Sequence, residues 1–89
     1  MASGQKLTVL VVSADTEVFS GEAESVVART TEGEIGILPG HEPVLAILGS
    51  GTVRIKVSSS ETITAEAADG FLSVENDAVT IAAGKAALV

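Results

Sequence analysis

The sequence has no cysteine, tryptophan or tyrosine, and only two phenylalanines, Phe19 and Phe71. The missing cysteines exclude disulfides, thiolate catalysis and cysteine-ligated metal centres. The missing large aromatics leave valine, isoleucine, leucine and alanine to fill the core of a chain that is 46% hydrophobic. Basic residues are scarce: five lysines and arginines stand against twelve acidic residues, a net charge of -7. Such a balance repels phosphate backbones and anionic lipid, so neither nucleic acid nor a membrane surface is an expected partner. A cationic surface on another protein remains open. Long apolar runs are also absent, and Val9–Val12 and Val44–Leu48 are far too short to cross a bilayer. The opening MASGQK lacks the apolar stretch of a signal peptide and reads as a flexible lead-in over residues 1–6.

What is present is β patterning in a chain of 89 residues, enough for one domain with one core. Leu7–Ser13 (LTVLVVS) is nearly all apolar or β-branched and predicts an interior strand covered on both faces. A turn at Asp15-Thr16 precedes a short strand at Val18–Ser20, and Glu24–Thr31, Glu34–Leu38 and Val44–Leu48 follow as further strands. Thr52–Ser58 alternates, with Val53, Ile55 and Val57 inward and Arg54 and Lys56 outward. Thr62–Ala67 pairs back across a serine-rich loop, and Asp69-Gly70 predicts a turn. Phe71–Glu75 and Ala78–Ala82 form a last hairpin across Asn76-Asp77. Short strands broken by dense turn residues predict an all-β domain, a β-sandwich or flattened barrel. The tail AAGKAALV is alanine-rich and predicts the start of a helix.

The stretch GEIGILPGHEPV, residues 33–44, holds the only histidine and both prolines. His41 beside Glu42 suggests acid–base chemistry, but neighbours in sequence point apart and no nucleophile or second histidine accompanies them. One histidine with scattered carboxylates is a poor metal site, and the glycines form no phosphate-binding pattern. No catalytic residue, metal or cofactor is therefore expected. VENDAVTI (Val74–Ile81) is similar to the hairpin of lipoyl and biotinyl carriers, which attach their cofactor to a lysine at the turn. Ala78 stands where that lysine belongs, and Lys56 and Lys85 lie elsewhere. A free-standing carrier or ligand-binding sandwich is thus the alternative, deficient at the residue it needs. The other reading is a binding module, with Ile37, Leu38 and Pro39 either a docking edge or a purely structural turn.

TTEGEIGILPGHEPVLAIL (Thr30–Leu48) closely resembles the corresponding stretch of the F-type ATP synthase epsilon subunit family. LTVLVVSADTEVFSGEAESVVART (Leu7–Thr30) and DGFLSVENDAVTIAA (Asp69–Ala83) resemble its opening strands and closing hairpin, so the resemblance covers nearly the whole chain. It implies a flattened β-sandwich of about ten strands over residues 7–83. It implies a non-catalytic subunit at the foot of the central stalk, which couples proton flow to ATP synthesis. The implied partners are the gamma subunit and the polar loops of the c-ring, on the cytoplasmic face of the bacterial inner membrane or its organellar equivalent, without insertion into it. Contacts with the alpha and beta subunits belong to the full-length family only. Glu34 matches the acidic residue that meets the c-ring loops, and Ile35, Gly36, Ile37, Leu38 and Pro39 shape that edge. Ser13, His41 and Ala46 match gamma-facing positions. The family usually continues into a C-terminal pair of helices that inhibits hydrolysis and, in some members, binds ATP. Here Ala83-Gly84-Lys85-Ala86 stands at that junction, and residues 84–89 are expected to be only the beginning of it, so neither property is carried over.

Overall fold

The computed structural model describes residues 6–14 and 16–89. Most of the expected lead-in (residues 1–5) and Asp15 of the first expected turn lie outside the described residues. Eight strands follow in order: β1 (Leu7–Ser13), β2 (Thr16–Ala23), β3 (Ser25–Thr30), β4 (Gly33–Ile37), β5 (Val44–Ile47), β6 (Gly51–Ser58), β7 (Glu61–Glu75) and β8 (Ala78–Leu88). The fold is all-β, with eight strands where about ten were expected. Their order is β2-β1-β8-β7-β6-β3-β4, with β5 also paired to β7.

Two long strands turn this one sheet into two layers. The first half of β7 pairs with β6, its second half pairs with β5, and β8 lies along both halves. The first layer is therefore β5, the second half of β7, the first half of β8, β1 and β2. The second is β4, β3, β6, the first half of β7 and the end of β8. Strands that pass from one layer to the other need a bend at the corner. The bend lies at Asp69-Gly70, where Asp69 has φ 62°. Ala68 pairs with Lys85 and Gly70 with Ala83, and Asp69 and Gly84 lie between these pairs. The inward side of β7 changes there from odd to even residues: Ala65 and Ala67 are buried before it, Leu72 and Val74 after it.

One continuous core fills the space between the layers, including Leu7, Val9, Val11, Val26, Ile37, Ile55, Leu72 and Ile81. Among the described residues no polar or charged side chain is buried. Every buried core residue among those described is aliphatic, as the shortage of aromatics requires, and Phe19 packs against this core from its rim. The β7–β8 hairpin turns on Asn76 (φ 50°) and Asp77 (φ 62°), the two left-handed residues that a tight two-residue turn demands.

Three expectations are corrected. Asp69-Gly70 is not a turn between strands but a bend inside β7, because strand pairing continues on both sides of it. The alanine-rich tail is not the start of a helix: it is the end of β8, with Ala86 opposite Ala67 and Leu88 opposite Ala65. A helix of a few residues is unstable alone, whereas the open edge of β7 offers this segment a hydrogen-bonding partner. Finally, β1 is interior in its pairing but covered on one face only; Leu10 and Val12 are half-buried and Thr8 is exposed on the other.

Candidate functional site

Glu34 is the second residue of the edge strand β4 and projects from the outer face, between Gly33 and half-buried Ile35. Its carboxylate lies 3.8 Å from the guanidinium of Arg54, and both side chains are about half exposed. So exposed and long an ion pair is weak and readily exchanged for another cation. Of the other residues expected on this edge, Leu38 is exposed, Pro39 half-buried and Gly36 exposed. Ile37 is fully buried, so it supports the edge from the core and presents nothing to a partner.

Pro39 and Gly40 lie at the opposite end of β4 from Glu34, against the β7–β8 hairpin. The Gly40 amide donates to the Asp77 carboxylate (2.7 Å), and the His41 amide donates to the Leu38 carbonyl (3.1 Å). His41 Nδ1 lies 2.7 Å from the Glu42 carbonyl, where a protonated Nδ1 donates. The histidine ring is thus held by its own loop. Asp77→Ala removes both the carboxylate that fixes this loop and a side chain suited to the left-handed turn. It is expected to cost about 1–2 kcal/mol in urea unfolding and to speed amide exchange at Gly40. Asp77→Asn should recover most of the loss; unchanged exchange at Gly40 would show that the carboxylate does not fix the loop.

A groove of about 440 Å³ separates the edges of β4 and β5 and brings Glu34, Ile35 and Ala46 together. At one end the two layers are tied by the Thr30–Leu48 bridge and by the Thr31 amide donating to the Ile47 carbonyl. Ala46 points inward, opposite buried Leu72. Its neighbours Leu45 and Ile47 point outward, 71% and 60% exposed.

Ile47 heads a row that the sequence reading did not isolate. Register places Ile47 opposite Phe71, Phe71 opposite Ala82 and Ala82 opposite Val12. These four apolar side chains cross the outer face of the first layer, spanning about 14 Å over four strands. Phe71 is 43% exposed, whereas Phe19, the other aromatic residue, is half-buried. Ser13 follows Val12 at one end of the row; Ala46 precedes Ile47 at the other but points inward, so it lines the groove and not the row. His41 lies apart, beside the hairpin. The signal was present in the alternation of VLAI and in Phe71, but the outward parity of Phe71 depends on the bend at Asp69.

The chain matches, over residues 6–89, the family described as ATP synthase, Delta/Epsilon chain, beta-sandwich domain. It is 51% identical over 83 residues to the ATP synthase epsilon chain of Micrococcus luteus, covering 93% of this chain and 91% of that one. It is 47% identical over 78 residues to that of Streptomyces avermitilis, covering 88% of this chain and 63% of the relative. The fold is shared with a chain of the Euglena gracilis mitochondrial ATP synthase OSCP/F1/c-ring assembly, at a TM-score of 0.87 and 22% identity over 98% of this chain and 57% of that one. The chain belongs to the ATP synthase delta/epsilon β-sandwich family.

Proposed function

We propose that the chain is a non-catalytic coupling subunit of an F-type ATP synthase. Its outer apolar row binds the gamma subunit, and the Glu34 edge meets the polar loops of the c-ring. The observation that carries this reading is the row Ile47–Phe71–Ala82–Val12 on a face that nothing in the described residues covers. An apolar stripe rimmed by polar residues fits a protein partner. A two-layer sandwich with an all-aliphatic core supplies a stiff body through which gamma and the c-ring turn together. On this reading the domain is peripheral to the coupling membrane, on its cytoplasmic face in bacteria. The carrier alternative is disfavoured, because Ala78 occupies the hairpin position at which a carrier needs its lysine.

Glu34→Lys replaces attraction toward a c-ring cation with repulsion and also sets two cations beside each other at Arg54, whereas Glu34→Gln removes only the attraction. Proton pumping per ATP in reconstituted vesicles should therefore fall further for Glu34→Lys than for Glu34→Gln. The melting temperature of each isolated variant should change little, since Glu34 is 56% exposed. Coupling unchanged by Glu34→Lys, or lost in proportion to stability, removes Glu34 from the docking contact.

A further inference from the structure

Three of the chain's five cationic residues, Arg29, Arg54 and Lys56, lie on two adjacent strands. Register sets Lys56 opposite Ser25, Arg54 opposite Val27 and Arg29 opposite Glu34. Val26, Ala28, Val53 and Ile55 alternate with them and are buried, so all three cations project from the outer face of the second layer. This is the face turned away from the apolar row. Thr62 and Thr64 stand opposite Lys56 and Arg54 and continue the strip with neutral hydroxyls. Glu34 provides the single ion pair among the described residues. Glu66, exposed opposite Thr52, is a second carboxylate on this outer face. Three positive charges against two negative still leave the strip locally cationic, on a chain whose net charge is -7.

We propose that the outer face of β3 and β6 receives an extended acidic segment of a partner protein. The sign of the strip selects the partner, because the rest of the chain repels anions. Its dimensions select an extended polypeptide. Arg29 and Lys56 are about 13 Å apart along the strands, beyond the reach of one phosphate. Arg54 and Lys56 are two residues apart on one strand, about 6.8 Å, which is also the spacing of successive carboxylates on one side of an extended acidic chain. The cationic strip is separate from the apolar row, which lies on the opposite outer face.

The test is titration of 15N-labelled protein with a deca-glutamate peptide in about 0.1 M salt, where the screening length of about 10 Å leaves the strip visible and masks the distant carboxylates. Amide shifts should concentrate on β3 and β6. Arg29→Gln, Arg54→Gln and Lys56→Gln combined should weaken binding about tenfold or more, and Lys56→Gln alone measurably, while Lys6→Gln with Lys85→Gln leaves it within about twofold. Melting temperatures check that each variant is folded. Any of four results overturns the proposal: no binding, shifts centred elsewhere, equal loss in the Lys6 and Lys85 variant, or preference for inorganic phosphate or anionic vesicles over the peptide. None of these results bears on gamma binding, so the two readings fail separately.

Discussion

Gly70→Ala is expected to unfold much of the population at temperatures where the parent is fully folded. A Cβ at Gly70 overlaps the Ala82 carbonyl oxygen and lies 2.6 Å from the Ala83 Cα. These are backbone atoms of β8, held by β7 on one side and, up to Ala82, by β1 on the other. No rotamer change relieves the overlap, so β7 and β8 must separate at the bend. That separation also disturbs the Leu48 amide, which donates to the Gly70 carbonyl (3.0 Å). Overpacking of this kind costs about 3 kcal/mol, in a chain whose whole stability is roughly 4–13 kcal/mol. The melting temperature should fall by about 12–24 °C. Gly36→Ala is the control: nothing lies within 4 Å of a Cβ there, and stability should move by no more than about 0.5 kcal/mol. A Gly70→Ala variant that melts within a few degrees of the parent would mean that the strands give way at the bend without cost.

Ile47→Asp should abolish association with gamma while leaving the domain folded. Ile47 is 60% exposed on β5, so the isolated domain buries little of it. In a complex that covers the row, the carboxylate is desolvated against Phe71 without a cation to meet it. Affinity should fall by about a hundredfold or more, equivalent to about 2.7 kcal/mol. Phe71→Asp should act in the same direction, with some loss of stability because its ring is only 43% exposed. Leu88→Asp is the matched control, being 50% exposed at the end of β8 and outside the row. Titration of purified gamma against each variant, with melting temperature alongside, measures both quantities. Affinity within about twofold of the parent for Ile47→Asp, or an equal loss for Leu88→Asp, would remove the row from the interface.

Residue pattern alone carried the all-β class, the aliphatic core and the family resemblance. Period-two alternation in Thr52–Ser58 needs no tertiary information to be read, and Val53 and Ile55 are indeed buried. The same holds for the Asn76-Asp77 turn, since a two-residue hairpin is local chemistry. The tertiary structure decided what depends on which edges are free and which way the layers face. The alanine-rich tail carries helical propensity, but the open edge of β7 outweighs it and makes strand of it as far as Leu88. Asp69-Gly70 carries the composition of a turn, and only the passage of β7 between layers makes it a bend with pairing on both sides. That bend reverses the inward parity of β7 and so turns Phe71 out beside Ile47, which is why the row could not be read along the chain. Ile37 illustrates the opposite case: it sits among docking candidates in sequence, yet β4 pairs with β3 so that Ile37 faces the core while Glu34, three residues earlier, faces solvent. Residue type sets what a side chain can do, but a one-residue change of strand phase decides which face it does it on.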